Sequence, residues 1–225
     1  MPTREEAKAI RKSRILDAAR DLIRETEQTG FSMRALAARS DVSLVTPYNL
    51  FGSKQAIMST LLDEDIGTYG AELRRSRRDP LDIFFRAVTL GRDYFDRDQN
   101  YYRAVLAAVY NEGGRDYRSM FRGPRRALWR QLVETAVAEG YLLTCVNTDA
   151  LAAQLALTFF ANILEWVAGE MSLKEMELRT HYGFALALYA MATHEHSARM
   201  RERILTAQRR LGASSRHSGN VEAQA

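Results

Sequence analysis

The segment from Phe31 to Leu62 contains the residues of this chain best suited to lie against a large anionic partner. No acidic residue occurs from Val42 to Leu62, although the whole chain contains 28. A surface that faces phosphate groups excludes carboxylates, because like charges repel and their desolvation adds to the cost. The composition of this segment is therefore that of a surface that can approach a nucleic-acid backbone.

The same segment has the sequence signals of two short helices joined by a tight turn. Ser32 can cap the first helix by accepting a first-turn N–H, and Phe31 and Leu36 are placed as a hydrophobic staple. Asp41 is a turn residue that tolerates the left-handed conformation, and Ser43 can open the second helix. A helix-turn-helix of this kind places its second helix in the major groove of DNA. We therefore predict a DNA-binding unit.

The overall composition permits this interpretation without requiring it. The 225 residues carry a net charge of +4, which is compatible with a nucleic-acid partner. The single cysteine, Cys145, excludes an intramolecular disulfide, and its apolar neighbours favour a small buried side chain over a nucleophile. The polar N-terminus is unlike a secretion signal, and the longest charge-free apolar run, 150–164, is too short to cross a bilayer. We expect a cytoplasmic protein without a membrane contact.

The chain is predicted to be all-α, because it has only four prolines and few alternating β-branched residues. Residues 1–52 are expected to form a compact three-helix unit with the helix-turn-helix. Residues 53–212 are expected to form a larger helical bundle, and residues 213–225 a disordered tail.

Cap residues indicate where several of these helices begin. Asp79 before Pro80 is a strong start signal, Thr148 can cap a further helix, and Ser172 with Glu175 forms a capping box. The predicted helices cover residues 4–27, 32–40, 43–50, 53–77, 81–96, 101–111, 117–139 with a kink at Gly123–Pro124, 149–168, 172–193 and 199–211.

The stretch from Ile15 to Leu62 resembles the TetR family of bacterial transcriptional regulators. The order and spacing of the family's residues are matched, and the chain length and the helical remainder fit as well. The resemblance implies a homodimeric repressor whose larger domain, residues 53–212, binds a small molecule and thereby releases DNA. The matching residues are Ile15-Leu-Asp-Ala-Ala19, Gly30-Phe-Ser-Met-Arg34, Leu36-Ala37, Val42-Ser43, Thr46, Tyr48, Phe51 and Lys54.

Two residues depart from the family's pattern. Asp41 stands where the family usually has a small Gly or Ala, but the left-handed region tolerates Asp better than most residues. Pro47 stands where the family usually has a large apolar residue. Because Pro lacks an N–H, it is harmless only in the first turn of the helix, which requires the helix to begin close to Ser43 or Leu44.

Side chains at the start of the second helix are expected to meet base edges, and groups around them to meet phosphates. Asn pairs bidentately with adenine, and Thr or Leu methyls contact the thymine methyl. The alternative for Leu44 and Val45 is that they only pack against the protein. The candidate base-reading residues are Leu44, Val45, Thr46 and Asn49. The candidate backbone contacts are Ser32, Arg34, Ser43, Tyr48 and Lys54, of which Tyr48 and Lys54 match the family's backbone-contacting positions.

Two later segments, 149–168 and 178–192, are apolar around most of their circumference. A helix of this kind is buried on more than one side. We expect one side to pack within the subunit and the other to form a four-helix interface with a second copy. Such a homodimer would present two recognition helices to a palindromic operator in double-stranded DNA. The candidate interface residues are Leu151, Leu155, Tyr182, Leu188 and Tyr189.

Aromatic and Met residues collect between Phe84 and Trp166. They form either an ordinary core or a pocket for an apolar or amphipathic small molecule that is oriented by a few polar groups. The candidate effector-binding residues are Tyr94, Tyr102, Met120, Phe121, Trp129, Phe159, Asn162 and Trp166.

An enzyme is the alternative from another functional class, but few residues favour it. The four histidines do not form a metal-binding pattern, and the chain has no Walker loop, GxGxxG sequence or nucleophile elbow. We therefore expect no catalytic residues, no metal and no cofactor. A second alternative is a DNA-binding regulator without a small-molecule effector.

Overall fold

A computed structural model of the chain describes residues 3–26, 31–76, 78–111 and 124–222, apart from the side chains of residues 110, 111, 124, 125 and 214–222. Within these ranges the chain is helical and contains no strand, which confirms the all-α prediction. An isolated antiparallel bridge joins Leu142 to Ala192. The helices are α1 (Arg4–Thr26), α2 (Met33–Arg39), α3 (Val45–Phe51), α4 (Lys54–Arg75), α5 (Asp82–Arg97), α6 (Gln99–Asn111), α7 (Pro124–Ala138), α8 (Thr148–Ala168), α9 (Leu173–Met191) and α10 (His194–Glu222).

Local cap signals explain where most helices begin, with one correction. Ser172 accepts the N–H of Glu175 at 3.1 Å and caps α9, as predicted. Thr148 was expected to cap α8, but this prediction is wrong because Asn147 has the extended backbone and accepts the N–H of Ala150 at 3.0 Å. Thr148 is instead the first helical residue. The predicted helix start at Tyr117 lies outside the described residues.

The backbone contacts divide the chain into two units, and α4 contributes to both. The first unit contains the chain up to Thr68 together with α6, and the second contains the rest of α4 with α5 and α7–α10. This grouping differs from the predicted boundary after residue 52. Helix α10 continues to Glu222, through most of the segment predicted to be a disordered tail.

In the first unit, α1 packs against α2 and α6 around an apolar centre. Ionic contacts surround this centre: Arg20 lies 2.6 Å from Glu64, and Arg24 lies 2.7 Å from Asp98. The buried side chains include Ile15, Ala19, Ile23, Leu36, Ile57, Met58 and Leu61.

In the second unit, α8 packs between α7 and α9, and α10 packs along α9. Helices α8 and α9 approach closely at Gly183, where an added Cβ would lie 2.6 Å from Cγ2 of Thr158. The large buried side chains of this unit include Leu81, Phe84, Leu90, Leu155, Trp166, Phe184 and Leu188.

Helix α8 is long and apolar enough, by length and composition alone, to cross a membrane. The charge-free run 150–164 is shorter than the 21-residue helix that contains it. The core helix of a protein outside the membrane passes the same test, and α8 packs against two neighbouring helices. Only 33% of its most apolar window is buried within the chain.

Candidate functional site

The first short helix of the predicted DNA-binding segment forms as its sequence indicates. Ser32 accepts the N–H of Ala35 at 3.1 Å and caps α2. Phe31 and Leu36, the two members of the predicted staple, are both buried. This packing holds the exposed side chains of Ser32 and Arg34 at the solvent side of the helix start. Both predicted backbone contacts are therefore accessible.

The turn between α2 and α3 depends on Asp41, which has a φ of 49°. This confirms that Asp41 occupies the left-handed region in place of the more usual small residue. The carbonyl of Asp41 accepts a hydrogen bond from Arg14 of α1 at 3.1 Å. The preceding Ser40 is buried, and its hydroxyl donates to the carbonyl of Leu36 at 2.6 Å. The turn is thus fixed from both sides.

Helix α3 begins at Val45, two residues later than the predicted start at Ser43. Leu44 occupies the cap position and makes no side-chain cap, whereas the hydroxyls of Ser43 and Thr46 lie 2.8 Å apart. Pro47 is the third helical residue and is buried. Its missing N–H is one of those that have no partner within a helix, so Pro47 does not disturb α3.

The start of α3 exposes large apolar side chains, which is unusual for a surface helix. The exposed fractions are 43% for Leu44, 60% for Val45 and 48% for Tyr48. Asn49 is exposed as well, and Thr46 is half-buried. Leu44 and Val45 therefore do not serve only to pack within this chain. Four predicted base- or backbone-contacting residues share one accessible surface at the start and middle of α3.

The start of α4 adds a positive charge to this region. Ser53 accepts the N–H of Ala56 at 3.1 Å, so it caps the helix that begins at Lys54. The Lys54 ammonium lies 5.1 Å from the centre of the Phe31 ring. Such a cation–π contact orients a lysine without neutralising it. A cation at a helix start is well placed to hold a phosphate together with the exposed N–H groups.

The predicted effector-binding residues are not one group. Tyr102 is buried in the first unit, whereas the other described members belong to the second. Met120 and Phe121 lie outside the described residues. The remaining five belong to the second unit, where only Trp129 and Phe159 are recorded in contact with each other within the described residues. They are Tyr94, Trp129, Phe159, Asn162 and Trp166.

The contacts of these residues are aromatic and polar. The Trp166 ring stacks on Phe95 with centroids 5.1 Å apart, and Trp129 meets the edge of Phe159 at 6.0 Å. The amide nitrogen of Asn162 donates to the carbonyl of Thr158 at 2.9 Å and lies 3.2 Å from the Thr180 hydroxyl. Both N–H groups of Asn162 are therefore used within the chain.

Tyr94 and Phe159 are the half-buried aromatic members of this set. The Tyr94 hydroxyl donates to Glu72 at 3.0 Å, and its ring meets Tyr69 edge-on. Phe159 is half-buried and lies beside Gly91, where an added Cβ would be 2.8 Å from the ring. The Phe159 ring therefore occupies the space that a side chain at residue 91 would need.

The predicted interface residues require a correction. Leu151, Leu155 and Leu188 are buried within their own subunit, so they cannot form the exposed face of α8 and α9. They belong to the buried apolar cluster of the second unit, and the apolar periodicity does not distinguish that side from the opposite one. Tyr182 is half-buried and Tyr189 is exposed.

Two exposed leucines were missed by the sequence interpretation. Leu157 on α8 is 44% exposed, and Leu186 on α9 is 43% exposed. They lie two residues from Leu155 and Leu188, respectively, and therefore on a different side of each helix. The sequence shows that both sides are apolar but does not show which side faces the core.

The possibility of a metal site is tested by the positions of the His, Cys, Asp and Glu side chains in the described part of the chain. This part contains no group of three or more His, Cys, Asp and Glu residues that could hold a metal ion. Cys145 was expected to be buried, but it is exposed because it lies in the loop between α7 and α8.

Comparisons with known proteins support the fold. No protein-family profile matches the chain, and no curated protein sequence matches it. A search of solved structures gives Thermus thermophilus FadR, a TetR-family transcriptional repressor in complex with lauroyl-CoA. The identity is 19%, the TM-score 0.68, and the match covers 81% of this chain and 96% of that chain.

Two further structures give the same result. A TetR transcriptional regulator from Rhodococcus sp. RHA1 is 20% identical, with a TM-score of 0.64 and coverage of 81% of this chain and 98% of that chain. RolR in complex with resorcinol is 14% identical, with a TM-score of 0.64 and coverage of 89% and 96%. The chain therefore has the fold of the TetR-family regulators, an N-terminal helix-turn-helix domain followed by a helical domain. This confirms the fold that the resemblance implied.

Proposed function

We propose that this protein is a sequence-specific regulator of transcription that binds double-stranded DNA through α3 and belongs to the TetR family. The observation that carries the proposal is the exposure of four side chains of α3 and its cap: Leu44, Val45, Tyr48 and Asn49. The capped helix α2 and the tight turn between α2 and α3 hold this helix in place. The surrounding segment has no carboxylate between residues 42 and 62. A helix of seven residues with this surface fits the major groove.

The residues of this surface divide into two roles. Asn49 can read adenine, and the methyl groups of Leu44, Val45 and Thr46 can contact thymine. Ser32, Arg34, Ser43, Tyr48 and Lys54 would contact phosphates and set the position of α3. Only the first group carries sequence information.

Selection of bound fragments from random DNA tests the proposal, followed by titration of the selected site at several salt concentrations. Lys54→Ala is expected to weaken binding to all sequences and to reduce the salt slope by about one. Asn49→Ala is expected to cost ~1–3 kcal/mol on the selected site only. Lys174→Ala, which removes the same charge from an exposed position of α9, is the control. Failure of the protein to bind any duplex at low salt would refute the proposal.

The selected site should be palindromic, because we propose a homodimer. Support comes from α8 and α9, which leave Leu157, Leu186 and Tyr189 exposed although both helices are strongly apolar. A second copy that covers these side chains would remove them from water. In sedimentation experiments, Leu186→Glu should shift the protein towards monomer. Leu143→Glu, which changes another exposed leucine of the same unit, should leave the dimer intact.

We further propose repression that a small molecule relieves, with the second unit as the binding domain. FadR binds lauroyl-CoA and RolR binds resorcinol in the structures that share this fold. Tyr94, Trp129 and Phe159 supply aromatic surface suited to an apolar or amphipathic ligand. A ligand releases DNA only if it binds the released conformation more tightly than the DNA-bound one.

A thermal-shift screen with small molecules tests this second step. The expected hit stabilises the protein and weakens operator binding. Gly91→Ala should reduce the response, because its Cβ displaces the Phe159 ring. A protein that binds its operator but responds to no ligand would instead be a regulator without an effector, and turnover of the hit would indicate an enzyme.

A further inference from the structure

A half-open hollow in the second unit lies where α5, α9 and α10 meet, and the proposed regulator function does not use it. Its volume is about 300 Å³. This is the size of a small-molecule site and is too small for a nucleic-acid backbone or a folded partner. None of the predicted effector-binding residues lines it.

Three arginines of α10 line this hollow: Arg199, Arg203 and Arg210. Their spacing of four and seven residues places them on one face of the helix. Two of them are fixed by carboxylates at the start of α5. Nη2 of Arg199 lies 2.6 Å from Asp79, and Nη2 of Arg203 lies 2.6 Å from Asp82. A guanidinium has five N–H donors, so each ion pair orients the group and leaves further donors for a ligand.

Arg199 also has an unsatisfied donor. Its Nε atom is buried and has no hydrogen-bond partner within the described residues. A buried donor without an acceptor is unfavourable, and native structures rarely keep one. Because this atom is closed to solvent, an acceptor oxygen reaches it only if the Arg199 side chain or its surroundings move.

The hollow also has an apolar wall formed by Phe85, Leu178 and Ala207. The guanidinium of Arg203 lies 4.1 Å from the centre of the Phe85 ring. A charged group stacked on an aromatic ring places a cation next to apolar surface. The lining is thus suited to a ligand that has both a charged and an apolar part.

His181 contributes polarity to the lining but no charge near neutral pH. Burial lowers its pKa, although the nearby Glu177 opposes this effect. Its Nε2 lies 3.1 Å from the carbonyl oxygen of Phe85, so Nε2 carries the proton and donates it. The lining thus contains three guanidinium groups and one carboxylate, that of Glu202. Asp79 and Asp82, which pair with two of these guanidinium groups, add two further carboxylates beside the hollow.

We propose that this hollow binds a small organic anion, with a carboxylate or phosphate monoester held by Arg199, Arg203 and Arg210. The apolar part of the ligand lies against Phe85 and Leu178. This site is separate from both the DNA surface and the predicted effector residues. It gives the second unit a place for a further ligand, and its existence does not depend on the proposed regulation.

Calorimetric titration of the full-length protein tests this proposal with four probes. Phenyl phosphate and benzoate carry both parts of the expected ligand and distinguish phosphate from carboxylate recognition. Inorganic phosphate carries only the charged part, and phenol only the ring. Phenyl phosphate or benzoate should bind at least about tenfold more tightly than the corresponding one-part probes, because each part adds its own contacts.

Two substitutions locate the binding. Arg210→Gln and Arg203→Gln should each lower the affinity for the probe about tenfold or more, because a charge-assisted hydrogen bond is lost. Arg209→Gln is the matched control, because it removes a neighbouring positive charge of the same helix. The Arg209 side chain contacts Thr206 and does not itself line the hollow. Thermal unfolding checks that all three variants fold.

The results that would overturn the proposal are specific. Absence of binding by both two-part probes at millimolar concentration would refute it. Equal loss of affinity in Arg209→Gln would indicate general attraction to a basic helix. An affinity unchanged by Arg210→Gln and Arg203→Gln would place the probe in another site, including the predicted effector pocket.

Discussion

The two short helices α2 and α3 use apolar residues differently from the two long helices α8 and α9. In α3, Val45 is 60% exposed, although its side chain is strongly apolar. In α8, Leu155 is completely buried within the subunit, although we expected it to face a second copy. The same kind of side chain thus lies at a surface in one region and in the core in the other.

This difference follows from how each helix is oriented. Helices α2 and α3 have seven residues each, and local signals at Ser32 and Asp41 fix their ends. With fewer than two turns, few positions remain that can face the core. Helices α8 and α9 have 21 and 19 residues and are apolar on several sides. Their orientation depends on packing against distant helices, which the local sequence does not specify.

The largest expected effect contrasts two leucines on the same helix. Leu155→Ala should lower the free energy of unfolding by ~2–5 kcal/mol, because it leaves a cavity in a close-packed core. Leu157→Ala removes the same atoms from a side chain that is 44% exposed, so its effect on the isolated subunit should be much smaller. Urea unfolding of both variants measures the difference.

The proposed dimer gives this pair a second readout. Leu157→Ala should weaken subunit association, whereas Leu155→Ala should change stability with little effect on association once the subunit is folded. Equal losses of stability at low protein concentration would contradict the assigned orientation of α8.

A somewhat smaller effect is expected where α8 and α9 approach closely. Gly183→Ala places a Cβ 2.6 Å from Cγ2 of Thr158, which the two helices cannot accept without moving apart. We expect a loss of ~1–3 kcal/mol from overpacking, reduced by the better helix propensity of Ala. Thermal unfolding of the single variant measures it.

The second substitution Thr158→Ser provides the control because it removes Cγ2 and keeps the hydroxyl. The double variant should recover most of the lost stability. If Gly183→Ala is as stable as the original protein, the close approach does not determine the packing of α8 on α9.

The dependence of stability on pH distinguishes the local hydrogen bonds of Asp79, at the start of α5, from its long-range pairing with Arg199. Burial alone would raise the pKa of Asp79, but hydrogen bonds from Arg199 and from the N–H groups of Leu81 and Asp82 lower it to about 2. A carboxylate with a lowered pKa stabilises the folded state above its unfolded pKa, and this contribution is lost as the pH falls from 3.8 to about 2.

Asp79→Asn should therefore reduce the pH dependence of the free energy of unfolding within that range. Asn remains a good helix cap, so the local hydrogen bonds persist while the pairing with Arg199 is lost. Arg199→Gln should remove part of the same pH dependence and leave the cap charged. Unfolding curves measured from pH 5 to 2 that are identical in all three proteins would contradict the assignment.

The sequence predicted the features that depend on nearby residues. The Ser32 and Ser172 caps, the left-handed Asp41 and the harmless position of Pro47 all follow from contacts within a few residues. The prediction failed at Thr148 because the preceding Asn147 is a better cap residue than Thr, so local propensity compared over both residues favours the observed start.

The features that depend on distant contacts could not be predicted in the same way. The pairing of Arg199 with Asp79 joins residues 120 positions apart, and no local pattern connects them. The basic character of residues 199–211 was visible in the sequence. Its position against Phe85 and His181 was not, because that depends on how α10 packs along α5 and α9.

The smallest expected effect on stability is at Val45, the exposed apolar residue of α3 that contrasts with the buried Leu155 of α8. Val45→Ala should change the free energy of unfolding by less than ~0.5 kcal/mol, because the side chain is largely in solvent and Ala favours the helix. It should nevertheless weaken operator binding, since the methyl groups that contact thymine are lost. Parallel measurements of unfolding and of operator affinity, with Leu155→Ala as the opposite case, test both statements. A variant that loses stability but retains operator affinity would show that Val45 packs within the protein and does not read DNA.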